Sequence, residues 1–364
     1  MDYETPQFYR VMDHAAGVDR DVVDMVSGSP DWGPPEALRD GLRAYADADP
    51  TEFHYAPSAG LESLRAEIAA RRGVETEQVI VTNGAAQANY LAMAFALERG
   101  GHEVVCPDPV YPYYPARAAM LGADVQFVPT GPAATLDPEA VANATGPATA
   151  AICLTTPGNP TGAVADRETL EELVEVAAAA DAILLSDEVY SHFDFSGQFV
   201  SARSVESAHR VVTGGVSKSL GVTGLRVGYA IVPKRYLEAI RRRHLLTVVT
   251  GSRPAQVAVD RALRQTSPAY YRHNRERLEE RIETFTTALD PVARVTRPDG
   301  GFYVLARFEG YPGTMENVLE LVEEAGVAGM PGATFGESIR EWIRFALLTP
   351  RVETAGERLR AYFG

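Results

Sequence analysis

The chain has 364 residues, 46% of them hydrophobic and 23% charged, so it can bury one large core or two moderate ones. This composition excludes a disordered, collagen-like or disulfide-dominated protein. The formal net charge is −15, whereas nucleic-acid-binding proteins carry basic surfaces. A negative charge also disfavours binding to anionic lipid surfaces. We therefore expect a small-molecule partner, no nucleic acid and no membrane.

The N-terminal sequence predicts a cytoplasmic protein. It is polar and lacks the basic start and continuous apolar stretch of a secretory signal. No segment is long and apolar enough for a membrane span. Cys106 and Cys153 lie in apolar runs, which predicts buried free thiols rather than a disulfide.

Through the middle of the chain, apolar segments of strand length alternate with amphipathic segments of helix length. This alternation is typical of α/β layering. The segments with strand character are 79–82, 103–106, 124–128, 150–155, 182–186, 210–214 and 226–232. The clearest helix spans 166–180, with apolar residues on one face and acids on the other.

The C-terminal third has a different pattern. Residues 253–289 predict one long, solvent-facing helix that crosses between domains. Segments 292–296, 301–308, 315–325 and 342–347 indicate a compact α+β unit. We therefore predict an N-terminal segment (1–45) packed on a small C-terminal domain (281–364), and a large cofactor-binding domain (46–280) between them.

One loop lysine stands out, because Lys218 and Lys234 are the only lysines among 34 basic residues. Lys218 lies in a Gly- and Ser-rich loop between two predicted strands, within GGVSKSLGVTGLRVG. An amine can form an imine and a guanidinium cannot, which favours a chemical role over a solvated surface lysine. The phosphate loop of nucleotide hydrolases is excluded, because it needs glycine before the lysine and Ser217 stands there.

The spacing Ser-Lys-(x7)-Arg-x-Gly from Ser217 to Gly228 resembles the cofactor lysine motif of fold-type I pyridoxal-phosphate-dependent aminotransferases, the class I/II aminotransferase family. Four more motifs of that family occur in the family's order. They are HYAPSAGLESLR (54–65), VTNGAAQA (81–88), TPGNPTG (156–162) and SDEVY (186–190). The similarity extends from GSPDWGPP near the N-terminus to PDGGFYV and EWIRFA near the C-terminus, so it covers nearly the whole chain.

Together with the strand pattern, the resemblance implies a large α/β domain whose mainly parallel seven-stranded sheet is covered by helices, plus a smaller α+β domain. It implies pyridoxal 5'-phosphate as cofactor, bound to Lys218 as an aldimine. The reaction implied is amino transfer between an α-amino acid and a 2-oxo acid. It also implies a homodimer with active sites at the subunit interface.

The resemblance assigns residues to the cofactor ring. Asp187 ends an apolar strand, and a carboxylate there would keep the ring nitrogen protonated. Asn159 and Tyr190 resemble the donors to the phenolic oxygen, since an amide and a phenol do not change charge at neutral pH. Tyr111 matches the aromatic residue that stacks on the ring.

The phosphate needs converging N–H donors, and a predicted helix begins just after residue 83. The backbone amides expected there belong to Gly84, Ala85 and Ala86. Ser217 adds a hydroxyl and Arg226 a bidentate guanidinium. The resemblance implies that Tyr55 reaches the same phosphate from the neighbouring subunit.

Three residues are assigned to the substrate. Arg344 lies in a strand-like run, where a buried guanidinium needs an anion, and the resemblance makes that anion the substrate α-carboxylate. Gly28 would let the backbone of the N-terminal segment approach the same carboxylate. Asn159 is expected at substrate as well as cofactor.

Other interpretations share these motifs. A pyridoxal-phosphate-dependent lyase, decarboxylase or synthase differs only in substrate side chain, and a cofactor-sensing regulator would keep the pocket without turnover. Arg253 is a candidate partner for an acidic substrate side chain or a bridge at a dimer surface. No metal is expected, because none of the seven histidines falls in a metal-binding motif.

Overall fold

The computed structural model of the protein describes residues 7–364, so the first six residues of the predicted segment 1–45 lie outside it. The helices are α1 Gln7–Gly17, α2 Glu36–Ala46, α3 Glu62–Arg72, α4 Gly84–Arg99, α5 Tyr113–Met120, α6 Pro138–Ala144, α7 Arg167–Ala179, α8 Leu237–Val248, α9 Arg253–Gln265, α10 Pro268–Leu289, α11 Met315–Glu324 and α12 Val352–Phe363. The strands are β1 Val23–Asp24, β2 Val79–Asn83, β3 Glu103–Asp108, β4 Asp124–Pro129, β5 Thr149–Thr155, β6 Ile183–Asp187, β7 Arg210–Gly215, β8 Val227–Ile231, β9 Arg294–Val295, β10 Tyr303–Arg307, β11 Val327–Ala328, β12 Met330–Pro331 and β13 Ile343–Ala346.

The central sheet has seven strands in the order β2-β8-β7-β6-β5-β3-β4. β8 runs antiparallel to both neighbours, and the other pairs are parallel. Each of the seven sequence-predicted strands is one of these strands, so the mainly parallel seven-stranded sheet is confirmed. Parallel strands bring their carboxyl ends to one edge, where α/β folds bind ligands.

Both faces of this sheet are covered by helices. Alternate β2 residues belong to different cores: Val79 and Val81 pack on one face with α3, α7 and α9, and Ile80 packs on the other with α4 and α8. Burial on two faces explains why the strands read as continuous apolar runs rather than alternating ones. Cys106 and Cys153 are buried as free thiols in this core.

The C-terminal residues form the smaller α+β unit. An antiparallel sheet in the order β12-β13-β10-β9 packs with α10, α11 and α12 around Phe285, Phe345 and Leu321. β1 pairs in parallel with β11, and Val11 of α1 is buried in the same core. The N-terminal elements α1 and β1 therefore contact the C-terminal unit.

Helix α2 packs elsewhere, against α9. Gly41 permits the close approach, because a Cβ at that position would lie 2.7 Å from Cα of Ala258. The end of the N-terminal segment therefore contacts the large sheet domain, while its beginning contacts the small one.

The single long helix expected over 253–289 is wrong. The chain forms α9 and α10, separated at Thr266 and Ser267. Pro268 cannot continue a helix, and Ser267 caps the new one by accepting a hydrogen bond from Ala269 N. α9 is not solvent-facing, because Ala258, Val259 and Ala262 are fully buried.

Within residues 7–364, no helix is both long and apolar enough to cross a membrane.

Candidate active site

A cavity of about 250 Å³ opens at the carboxyl edge of the large sheet. Its walls come from the loops after β3, β5, β6 and β7, the residues just before β8, the first turns of α4, and α5. The predicted site residues that line it are Ala85, Ala86, Tyr111, Asn159, Asp187, Tyr190, Ser217, Lys218 and Arg226. Segments far apart in sequence thus meet in one place.

Lys218 projects into this cavity from the loop that follows β7. Its Nζ donates a hydrogen bond of 2.6 Å to the carbonyl oxygen of Gly28. Burial, with help from the nearby charges of Arg226 and Arg344, lowers the pKa of Lys218 to about 8. The amine is therefore uncharged in a useful fraction of molecules near neutral pH, as a nucleophile requires.

Gly28 comes close to the same amine. A Cβ at position 28 would lie 2.9 Å from the Tyr303 hydroxyl and 3.3 Å from Nζ of Lys218. Only a residue without a side chain leaves this space free for a substrate group.

Asp187 ends β6 and is 5% exposed. Its Oδ2 accepts hydrogen bonds from the Tyr114 hydroxyl at 2.5 Å and from Asn89 Nδ2 at 2.7 Å. Its Oδ1 accepts one from Val189 N at 3.0 Å. These donors are uncharged, and within the described residues Asp187 has no ion pair within 4.0 Å. The carboxylate is therefore oriented but not neutralised.

Asn89 connects this carboxylate to the sheet. It lies on the buried face of α4, donates through Nδ2 to Asp187 and accepts through Oδ1 from the Thr213 hydroxyl. Burial, followed by the charge of Asp187, raises the pKa of Tyr114 well above its ordinary value, so the phenol stays a donor.

Arg344 occupies the other side of the site. It is 1% exposed on β13, and its guanidinium carbon lies 4.3 Å from the ring centroid of Tyr303 and 5.0 Å from that of Phe335. Nη2 donates to Val26 O at 2.6 Å and Nη1 to Asn159 Oδ1 at 3.3 Å. Nε has no partner among the described residues. A buried guanidinium with carbonyl partners only is suited to receive a carboxylate.

The Asn159 contact also orients the amide. Since Oδ1 accepts from Arg344, the Nδ2 group of Asn159 is left to donate. Tyr190, from the loop after β6, is buried and shares a 3.2 Å hydrogen bond with the Tyr303 hydroxyl. Burial raises the pKa of Tyr190 well above its ordinary value, so its hydroxyl keeps its proton.

The opposite end of the cavity has the features of an anion site. Gly84, at the start of α4, has φ +73°, and a Cβ there would collide with the Arg226 guanidinium. Arg226 itself has φ +55°, an unfavourable conformation for a side-chain-bearing residue, and its Nη1 donates to Thr223 O at 2.9 Å. Ser217 is 8% exposed beside it. A helix start and a guanidinium at one point can receive a dianionic phosphate.

Tyr55 does not reach this cavity within its own chain. Its side chain is 83% exposed, and it lines a separate surface depression with Phe53, Thr250 and Arg253. Arg253 also lies there, where its guanidinium pairs with Glu52 and donates to Tyr55 O.

Sequence reasoning did not find three residues of the site: Asn89, Tyr114 and Tyr303. Asn89 had a usable signal, since it is a polar residue on the buried face of an otherwise apolar helix, ANYLAMAFAL. Tyr114 and Tyr303 had none, because a half-buried packing tyrosine has the same sequence pattern.

The residues fit pyridoxal 5'-phosphate. The buried amine of Lys218 can bond an aldehyde, the unneutralised Asp187 carboxylate matches a protonated ring nitrogen, and the α4 start with Arg226 matches a phosphate. Among residues 7–364, no cluster of three or more His, Cys, Asp or Glu side chains could hold a metal ion.

Comparison with known proteins identifies the family. The model of the aminotransferase class I and II family matches residues 20–355. The aspartate/prephenate aminotransferase of Thermus thermophilus is 31% identical over 94% of this chain and 91% of its own length. A probable N-succinyldiaminopimelate aminotransferase of Mycobacterium tuberculosis is 32% identical over 86% of this chain and 82% of its own length.

Comparison with solved structures indicates the same family. The Thermus thermophilus aspartate aminotransferase with maleate superimposes with a TM-score of 0.91 at 30% identity, covering 99% of this chain and 97% of that one. The chain belongs to the class I and II aminotransferases. It is a pyridoxal 5'-phosphate-dependent enzyme that transfers amino groups between amino acids and 2-oxo acids, which confirms the predicted fold, cofactor and reaction.

Proposed function

We propose that Lys218 is the catalytic lysine of this transaminase, that Asp187, Tyr190 and Asn159 hold the cofactor ring, and that Arg344 binds the substrate α-carboxylate. The observation that supports these assignments is that Lys218, Asp187, Tyr190 and Asn159 line one cavity. Arg344 of β13 is hydrogen-bonded to Asn159, and the pKa of Lys218 is lowered to about 8.

When bound, pyridoxal 5'-phosphate supplies an aldehyde that takes up the amino group and a ring that accepts the electrons released at Cα. Arg344 and Asn159 fix one end of the amino acid, so that its Cα–H bond faces Lys218. The uncharged Nζ of Lys218 removes the proton from Cα and returns it on the cofactor side. Reversal with a second 2-oxo acid completes the amino transfer.

Asp187 and Tyr190 act by holding protons. The Asp187 carboxylate stabilises a proton on the ring nitrogen, and Tyr114 and Asn89 keep it pointed into the cavity. The Tyr190 hydroxyl donates to the phenolic oxygen at any physiological pH, because burial keeps its pKa high. Gly84, Ala85, Ala86, Ser217 and Arg226 anchor the phosphate in this proposal.

We also propose a homodimer in which Tyr55 of one subunit completes the phosphate site of the other. Its support is the exposure of Tyr55 beside other exposed apolar side chains, since a clustered apolar surface marks an interface. Phe53, which lines the same depression, is one of them. Sedimentation equilibrium is expected to give about twice the 39.3 kDa of one chain, and a single-chain mass would contradict this proposal. The cytoplasmic location stays a prediction.

The chain offers a matched control for the catalytic lysine. Lys218→Ala should lower the transamination rate by about 10⁴-fold or more, because covalent attachment and proton transfer are both lost. Lys234→Ala removes an exposed lysine paired with Glu75 and should leave the rate unchanged. Rates are measured with an amino donor panel against 2-oxoglutarate and pyruvate. Equal rates for the two variants would refute the assignment.

A further inference from the structure

Tyr303 is a buried tyrosine of the site to which the proposed mechanism gives no role. It lies on β10 and is 2% exposed. Its hydroxyl shares a 3.2 Å hydrogen bond with the hydroxyl of Tyr190, and neither hydroxyl has another hydrogen-bond partner among residues 7–364. Within the protein, the orientation of the Tyr190 hydroxyl therefore depends on Tyr303.

The antiparallel pairing of β10 with β13 places the Tyr303 ring against Arg344. Tyr303 pairs with Ala346, and Arg344 lies two residues before Ala346 on its strand. Tyr303 and Arg344 are thus diagonal neighbours on one face of the sheet, and the guanidinium carbon lies 4.3 Å from the ring centroid. A Cβ at Gly28 would lie 2.9 Å from the Tyr303 hydroxyl. The ring is therefore held by its surroundings, and the glycine leaves room for the hydroxyl.

The direction of the hydrogen bond between the two tyrosines decides where the Tyr190 proton points, because each hydroxyl has only one proton. Burial raises the pKa of Tyr190 well above its ordinary value, whereas the charge of Arg344 opposes the rise at Tyr303. Tyr303 is the more acidic phenol and hence the better donor of the two. When Tyr303 donates, Tyr190 accepts through its oxygen, and its own proton is left to point into the cavity.

We propose that Tyr303 is a positioning residue, whose hydroxyl donates to Tyr190 and thereby directs the Tyr190 proton to the phenolic oxygen of the cofactor. The inference rests on the proposed function, since it needs Tyr190 to hold that oxygen. Hydrogen bonds in a chain polarise one another, so the donation from Tyr303 also strengthens the donation from Tyr190. The other titratable groups that face this pair are Tyr111, Asp187, Lys218 and Arg344.

The test is a pH titration of the absorbance of the bound cofactor, in the unaltered holoenzyme and in Tyr303→Phe. This variant keeps the ring on Arg344 and removes only the hydroxyl. A weaker donation from Tyr190 stabilises negative charge on the phenolic oxygen less, so the cofactor keeps its proton to a higher pH. The pKa of the absorbance change should therefore lie about 0.5 to 1 pH unit higher, the equivalent of one lost hydrogen bond.

The same substitution in a Tyr190→Phe background isolates the contact. There, adding Tyr303→Phe should change the pKa by less than about 0.3 pH unit, because no Tyr190 proton is left to direct. Tyr311→Phe is the matched control: it removes a hydroxyl that donates to Asn317 O at 2.6 Å in the same C-terminal unit, and it should leave the titration unchanged. An unchanged pKa in Tyr303→Phe, or an equal rise in both backgrounds, would overturn the proposal.

A kinetic readout separates positioning from packing. Because the ring on Arg344 remains in Tyr303→Phe, KM for amino donors should change by less than about twofold. The value of kcat should fall about three- to tenfold, as for one lost hydrogen bond. A raised KM with unchanged kcat would show that Tyr303 only packs Arg344, and the proposal would be wrong.

The variants also separate this inference from the proposed function. If Tyr190→Phe alone leaves the titration unchanged, the proposed role of Tyr190 fails and the inference fails with it. If Tyr190→Phe raises the pKa and Tyr303→Phe does not, only the role of Tyr303 fails.

Discussion

The end of β6 carries two adjacent acids, Asp187 and Glu188, whose surroundings on opposite faces of the sheet differ sharply. Both are buried, at 5% and 1% exposure. Asp187 faces the cavity and receives only neutral donors. Glu188 faces α3 and pairs with Arg72 at 3.1 Å, and it also accepts from the Ser201 hydroxyl and Ala202 N.

The difference teaches how to distinguish a functional acid from a structural one. Glu188 is matched by a cation of its own chain, so its charge is already compensated. Asp187 is oriented by its neighbours and has no cation within 4.0 Å among residues 7–364, so a bound cationic group can balance its charge. The apolar run before them describes both residues as acids at a strand end, and it was the resemblance of SDEVY to the family motif that distinguished Asp187.

The largest expected effect is on the cavity side. Asp187→Asn keeps the shape and removes the charge, so the transamination rate should fall by about 10³-fold, as for loss of one preorganised electrostatic partner. The free energy of unfolding of the apoprotein should change little. The rate is measured with saturating cofactor. A rate within tenfold of that of the unaltered enzyme would contradict the functional role of Asp187.

On the opposite face, Glu188→Gln should act on stability instead. It leaves the half-buried Arg72 without its counter-charge, so the free energy of unfolding should fall by about 3 kcal/mol. Urea unfolding measures this change, and the rate of the folded fraction should stay within about threefold. The double variant with Arg72→Gln should lose less than the sum of the single variants. If Glu188→Gln kept the native free energy of unfolding and lost the transamination rate, Glu188 would be the functional acid and this interpretation would be wrong.

A smaller effect should follow from removing one of the hydrogen bonds that orient the Asp187 carboxylate. Tyr114→Phe deletes the 2.5 Å hydrogen bond to Oδ2 while Asn89 still donates, so the rate should fall by about tenfold. Tyr90→Phe, on the partly buried surface of α4, is the control and should leave the rate unchanged. If Tyr114→Phe matched the control, the orienting role of this hydroxyl would be excluded.

The smallest effect concerns the pH dependence of Lys218. Burial disfavours its charged form and lowers its pKa to about 8, so the neutral fraction rises with pH through that value. Cofactor uptake by the apoprotein should accelerate about 5.5-fold from pH 7 to pH 8 and level off above pH 9. An acceleration that continued past pH 10 would show an unperturbed lysine.

The strands of the large sheet could be predicted from the sequence because burial on both faces leaves uninterrupted apolar runs, as in β5 and β6. The break between α9 and α10 was signalled by Pro268 and missed, since the charged residues after it suggested one continuous helix. The sequence did not indicate that the N-terminal segment divides its contacts. Its helix α1 packs on the C-terminal unit and its helix α2 packs on α9.

Within the site, residues next to a distinctive motif were predictable, such as Lys218 and Arg226, because their spacing is fixed by one loop. Residues that act through long-range contacts were not. Tyr303 meets Tyr190 across 113 positions of sequence, and nothing local marks it as part of the site.

The central claim is that the ε-amine of Lys218 bonds covalently to the cofactor. The direct measurement is borohydride reduction of the protein loaded with pyridoxal 5'-phosphate, followed by mass spectrometry of its peptides. With only two lysines in the chain, the expected result is a pyridoxyl group on the peptide that contains Lys218 and none on the peptide that contains Lys234. A modified Lys234, or no modified lysine at all, would contradict the account.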